Sequence, residues 1–345
     1  MPDQDNRSFL ERLTFYRDMV LNALREWVPT KEPDRYLYAL VREYLGRSGK
    51  GLRPALCLAT CGALGGKVND ALNSAAAIEM IHNAFLIHDD IEDGSEYRRA
   101  QRTLHARYGV PIAVNIGDAM QALSMRLLRK NLPTLGPELA WQVLDEFDHM
   151  LMESLEGQAM ELGWIRDNQC EVSDEDYLRM TLKKTCWYSF IHPCRIGALI
   201  ARPRELNLER FNLFGYFLGT AFQIQDDILN LTGSRQQYGK EIGGDLYEGK
   251  RTLMLSHLFA RCSQQEKRTL QSILSRPRHR RLPREIDSVY ELLKRYGSIE
   301  HAHSCARELR NSAETAFIEA FGDAPESDDK AFIRQSLQFM LDRMY

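Results

Sequence analysis

Paired cysteines, long apolar runs and net charge are what this sequence has least of. Its seven cysteines are an odd number with no CxxC pair, so a disulfide framework is not indicated. Cys57 and Cys61, one helical turn apart, read as small core residues, because no other Cys or His stands nearby at zinc-site spacing. No stretch approaches ~18 uncharged apolar residues, so no membrane span is expected. The first ten residues lack the apolar centre of a signal peptide, which makes a cytoplasmic protein the expectation. A formal net charge of -3 is too small to imply a nucleic-acid or membrane-surface partner. There is no GxxxxGK[ST], hence no P-loop nucleotide site. β-branched alternation is also scarce.

Helical periodicity fills the space that these absences leave. Phe9, Leu13, Tyr16, Val20 and Leu24 recur at three or four residues, as do Ile78, Ile81 and Phe85, and later Phe211, Phe214, Phe217 and Ala221. Breakers such as Gly46 to Gly51, Gly94 to Gln101, Gly233 to Gly244 and Arg276 to Pro283 punctuate the pattern. The expectation is an all-α chain of roughly ten or more helices. It forms a single domain over residues 1–345, since no linker-like tract divides it. The basic run Arg276-Pro277-Arg278-His279-Arg280-Arg281 reads as a solvated loop between helices, with an anionic membrane or partner contact as the alternative.

Two acidic clusters carry the chemistry. His88-Asp89-Asp90-Ile91-Glu92-Asp93 ends a strongly apolar helical stretch. Residues four apart share a helix face, so Asp89 and Asp93 lie together with Asp90 beside them. Carboxylates crowded on one face repel, unless a divalent cation neutralises them. A few hard oxygen ligands suit Mg²⁺, which keeps waters and takes further ligands from phosphate. Arg98 and Arg99 follow shortly, and guanidinium groups near metal-bound carboxylates suit a diphosphate. The second cluster is Phe222-Gln223-Ile224-Gln225-Asp226-Asp227-Ile228-Leu229-Asn230, in which Gln223, Asp226, Asp227 and Asn230 are expected to share a face. Basic turns recur as well: Gly49-Lys50-Gly51 with Arg53, Lys183-Lys184-Thr185, Gly239-Lys240 and Gly249-Lys250-Arg251. Glycine beside lysine lets backbone N–H groups and an ammonium approach a phosphate together.

In this order the motifs resemble those of the trans-polyprenyl diphosphate synthases, the farnesyl and geranylgeranyl diphosphate synthase family, over about residues 30–320. The elements are Gly49-Lys50-Gly51-Leu52-Arg53-Pro54, Glu79-Met80-Ile81-His82, the two acidic clusters, Lys184-Thr185, Gly239-Lys240 and Gly244-Asp245 through Leu253. The resemblance implies an all-helical bundle around a deep central cavity, usually as a homodimer. It implies that Asp89 and Asp93 bind two Mg²⁺ ions and Asp226 a third. Arg98, Lys184, Lys240 and Lys250 would hold an allylic diphosphate. Lys50, Arg53, His82 and Arg99 would hold isopentenyl diphosphate, and Thr185 and Gln223 would border the developing allylic cation. Ala100 stands where the family often has glycine, and Asn230 replaces the last aspartate of the second motif; neither change is expected to abolish activity.

The implied reaction is ionisation, condensation and elimination, with the released diphosphate as the base. Product length would depend on Ala84 and Phe85, one turn before Asp89. A small residue beside a large one suggests a partial block and a C20 product, geranylgeranyl diphosphate, with C15 or C25 as alternatives. A stop deeper in the helix, near Ala77 or Ile81, is the competing reading. A class I terpene cyclase shares the fold and the metal-triggered ionisation, but it would not need Lys50, Arg53 and Arg99 as a second basic set. A catalytically silent subunit would not be expected to keep both acidic motifs.

Overall fold

The computed structural model describes residues 2–47, 49–202, 206–233 and 243–341. As expected, the chain is almost wholly helical; among the described residues the one sheet is a ladder of Tyr97–Arg98 against Gln101–Arg102. Two compact units are formed by discontinuous stretches of chain.

The first unit comprises Met1–Met150, Tyr188–Asn212 and Phe317–Phe339. Its centre is the helix Leu72–Glu92, which has no glycine or proline and buries Ala75, Ala76, Ala77, Ile78, Met80, Ile81, Ala84 and Ile87. Apolar residues on all sides mark a helix surrounded by others, each Ile or Met contributing roughly 1.5–3 kcal/mol on burial. Val110–Leu128 packs along it, and Gly117 makes the approach possible: a Cβ there would lie 2.2 Å from His88 Nε2. Leu52–Ala63 and His192–Ala201 form a second close pair, where a Cβ at Gly197 would lie 2.3 Å from the Cys57 carbonyl oxygen. Cys57 and Cys61 are fully buried there, and burial pushes the Cys61 thiol up to about 12. They are core residues, as the spacing suggests. Phe9 stacks on Phe332 at 5.0 Å, joining the first long helix, Pro2–Trp27, to Asp328–Leu341.

The central helix ends in a Schellman motif. Ser95 N–H donates to the Asp90 carbonyl at 2.9 Å and Gly94 N–H to that of Ile91 at 3.2 Å. Gly94 takes φ 64, a left-handed value that glycine adopts without strain. The chain then turns back through the Tyr97–Arg102 hairpin, whose two turn residues, Arg99 and Ala100, have φ 52 and 59. Positive φ at both positions is the turn that matches strand twist.

The second unit comprises Leu151–Trp187, Leu213–Ala316 and Met340–Tyr345. Its core gathers Ile224 and Ile228, Leu255 and Leu258, Leu270, Val289 and Leu293. Leu253–Arg261 starts at Thr252, whose hydroxyl accepts from Leu255 N–H, and Gln264–Leu274 starts with a Ser263/Glu266 capping box. The basic run 276–281 is not simply a solvated loop. Arg281 is buried and donates to the carbonyls of Leu246, Tyr247 and Leu274, while Arg278 pairs with Glu248 and Arg276 with Glu285. Carbonyls left over at helix ends need donors, and Arg281 supplies them.

Candidate active site

In the first unit the acidic cluster occupies the carbonyl end of its helix. That end already carries partial negative charge, so each carboxylate there costs about 0.3–1 kcal/mol unless a cation answers it. Arg98 answers part of it. Its Nη2 donates to Asp89 Oδ2 at 2.9 Å and its Nε to Asp90 Oδ1. Burial alone would lower the Arg98 pKa, but the Asp90 and Asp89 carboxylates raise it well above its ordinary value, so the guanidinium stays charged. Asp90 is buried, whereas Asp89 and Asp93 are half-buried; Asp93 N–H donates to the Asp89 carbonyl one turn back, at 2.9 Å.

Beside this end stands a cationic cluster. Arg53 donates to Tyr188 Oη at 2.8 Å and to Ser189 Oγ at 3.1 Å, with its guanidinium 4.4 Å from the Tyr188 ring centroid. Its Nη1 meets His82 Nε2 at 3.3 Å. Burial, then Arg53, Arg99 and Arg98, push the His82 pKa well below its ordinary value. The ring is therefore neutral, accepts from Arg53 at Nε2 and carries its proton on Nδ1. That buried Nδ1 has no hydrogen-bond partner among the described residues. Arg99 donates to the Arg47 carbonyl at 2.9 Å; its pKa is lowered by burial and by Arg98 and Arg53, despite Glu79. Cations that depress one another, with a donor left over, form a seat for an anion. Lys50 is exposed, between Gly49 and a left-handed Gly51, with Nζ 5.6 Å from the Phe339 ring centroid. Ala84 is fully buried, and Phe85 meets the Tyr188 ring edge-on at 5.8 Å.

In the second unit Lys184 and Thr185 lie on Leu182–Ile191, a helical stretch widened to π geometry, which is frequent at functional sites. Thr185 Oγ1 donates to Gln223 Oε1 at 3.0 Å, and Gln223 Nε2 to Asp227 Oδ1 at 2.8 Å. Tyr177 Oη donates to Asp227 Oδ2 at 2.8 Å. Burial pushes the Asp227 carboxyl up to about 7, with help from Asp226 and Glu161 and against these two donors. Asp226 is half-buried. Lys184 pairs with the buried Glu161, and Lys250 with Glu248 at 2.9 Å. Lys240 lies outside the described residues.

Gln223 and Asp227 share a helix face, since Gln223 Nε2 donates to Asp227 Oδ1 across one turn. Asp227 is turned to Tyr177 and Gln223, and the buried Asn230 accepts from Asp245 N–H at 3.1 Å, tying down the Gly244–Glu248 turn. Adjacent helical residues stand about 100° apart, so an Asp-Asp pair cannot aim both carboxylates one way. Sequence reasoning passed over Tyr188, Ser189, Tyr177 and Glu161. The signal for the first two was their place four residues, one helical turn, after Lys184 and Thr185; Tyr177 and Glu161 give none before the fold is known.

The donor set fits a divalent hard cation. The candidate ligands are carboxylate oxygens, half-buried at Asp89, Asp93 and Asp226. Among the described residues no three acidic, histidine or cysteine side chains form a ready-made cage.

The polyprenyl synthetase family model matches residues 34–293. The chain is 30% identical over 334 residues to a short chain isoprenyl diphosphate synthase of Methanothermobacter thermautotrophicus, covering 97% of this chain and 98% of that protein. It is 32% identical over 277 residues to a geranylgeranyl diphosphate synthase of Sulfolobus acidocaldarius, covering 80% and 82%. It superposes with a TM-score of 0.86, at 29% identity and 98% and 99% coverage, on the crystal structure of geranylgeranyl pyrophosphate synthetase from Pyrococcus horikoshii. With its helical fold, its carboxylate and arginine clusters and a family match over most of its length, the chain belongs to the polyprenyl synthetase family and is a prenyltransferase.

Proposed function

We propose that the chain condenses isopentenyl diphosphate with allylic diphosphates, using three Mg²⁺ ions, and makes geranylgeranyl diphosphate, C20. Asp89 and Asp93 hold two of the ions and Asp226 the third, and the bound metal supplies the positive charge that lets diphosphate leave. Arg98 commits Nε and Nη2 to Asp90 and Asp89 and offers Nη1 to a phosphate oxygen. Lys184, Lys240 and Lys250 complete the allylic diphosphate contacts. Arg53, Arg99, Lys50 and the Nδ1–H of neutral His82 hold the diphosphate of isopentenyl diphosphate. Thr185 and Gln223, already bonded to each other, present oxygen dipoles to the developing cation. The double bond of isopentenyl diphosphate attacks this cation, and the departed diphosphate takes the proton that is lost.

The product length rests on one observation. Phe85 sits one turn before Asp89, with its ring against Tyr188, while its neighbour Ala84 is fully buried and small. Names of similar proteins, geranylgeranyl diphosphate synthases among them, support the same length. Incubation with dimethylallyl, geranyl and farnesyl primers, followed by chromatography of the products, tests it: C20 is expected from each. Phe85→Ala is expected to lengthen the main product by at least one isoprene unit, and an unchanged length would move the stop elsewhere. The protein is expected to act as a cytoplasmic homodimer. No helix among the described residues is long and apolar enough to cross a membrane.

A further inference from the structure

We propose that Gly157 and Glu161, four residues apart on Pro137–Arg166, form a seat that positions Lys184, and that Glu161 is a positioning residue for the allylic diphosphate. This rests on the reading of Lys184 as a contact to that diphosphate.

Residues four apart stand above one another on a helix, so Gly157 and Glu161 share one face. A Cβ at Gly157 would lie 2.2 Å from the Lys184 backbone nitrogen and 2.6 Å from its Cα. Only the missing side chain lets the two backbones come this close. One turn on, the Glu161 carboxylate pairs directly with the Lys184 ammonium. Backbone and side-chain head are thus both set by the same helix face. A free lysine side chain carries rotamer entropy that binding would otherwise have to remove. Glu161 removes it beforehand, in a group only 7% exposed. The neighbouring Lys183 is treated differently: it pairs with Glu153 and Glu156, at 3.0 and 2.7 Å, which precede Glu161 by eight and five residues on the same helix. The helix thereby sorts two adjacent lysines, and Glu161 selects Lys184 for the seat.

Because the proposed seat acts through Lys184, it has a kinetic signature. In the full-length enzyme with Mg²⁺, Glu161→Gln is expected to raise KM for the allylic diphosphate about tenfold, the equivalent of one charge-assisted contact, and to leave KM for isopentenyl diphosphate within about twofold. Glu161→Asp keeps the charge and should restore part of the loss. Lys184→Gln should be impaired more, and the double variant no worse than Lys184→Gln. Equal rises in both KM values, or additive losses in the double variant, would overturn the seat. So would a normal Glu161→Gln beside an impaired Lys184→Gln. A normal Lys184→Gln would overturn the reading of Lys184 itself, and the seat with it.

Discussion

Asp90 and Asp227 are each the second aspartate of an Asp-Asp pair, and both are buried, yet they are held by opposite kinds of donor. Asp90 has the Arg98 guanidinium, which also reaches Asp89. Among the described residues Asp227 has neutral donors, the Gln223 amide and the Tyr177 hydroxyl, and its carboxyl is pushed up to about 7. A cationic partner neutralises charge at the first cluster before any ion arrives. At the second, the neighbouring Asp226 helps to raise the Asp227 carboxyl. The pairs look alike in sequence, but one is built as half of an ion pair and the other as a carboxylate supported by dipoles.

Removing the cation is the harshest way to break this comparison. Arg98→Met is expected to lower stability by about 3 kcal/mol at neutral pH, because it removes the guanidinium that pairs with the buried Asp90. Chemical denaturation reads it, and Arg98→Lys should recover little, since one ammonium cannot reproduce the fork.

Glu146 sharpens the rule at a different place in the first unit. There Arg195 donates to both carboxylate oxygens, each at 2.7 Å, and His192 Nδ1 lies 2.9 Å from Oε2. Burial would raise the Glu146 pKa, but Arg195 and His192 bring it down to about 2. A depressed carboxylate stabilises the fold above its unfolded pKa, and that stability is lost as pH falls from roughly 4.5 through roughly 2. Glu146→Gln should therefore lower stability by about 2 kcal/mol at pH 7, with most of the difference gone by pH 2 in an acid titration of the melting temperature.

Taking one dipole from Asp227 should cost less than taking a cation from Asp90. Tyr177→Phe is expected to destabilise by about 1–2 kcal/mol, measured by denaturant melts in the absence of divalent metal. The smallest effect belongs to the hairpin that carries Arg98. Ala100 has φ 59, which costs an L residue energy that glycine avoids, so Ala100→Gly should stabilise the protein by up to about 1 kcal/mol without altering turnover.

Much of this was legible in the sequence because it depends on periodicity. The helices, the buried Cys57 and Cys61, and the grouping of Arg98 with Asp89 follow from spacing and breakers alone. What was not legible depends on where a side chain ends once its helix has neighbours. Asp227 turns inward because Tyr177 waits there, fifty residues away. Asn230 reads as a weakened ligand and proves to be a brace for Asp245. The arginines of residues 276–281 read as solvated charge, since nothing local reveals that Leu246, Tyr247 and Leu274 have carbonyls to satisfy. Tyr188 lies in an apolar run, where an aromatic residue is ordinarily core.

The Tyr188 ring has a practical consequence for anyone evolving this enzyme toward other chain lengths. Arg53 occupies its face and hydroxyl, and Phe85 its edge. A library that varies Phe85 will therefore also disturb the arginine behind the ring. Clones selected for longer products should carry a penalty in isopentenyl diphosphate affinity, and second-round winners should reappear at Tyr188.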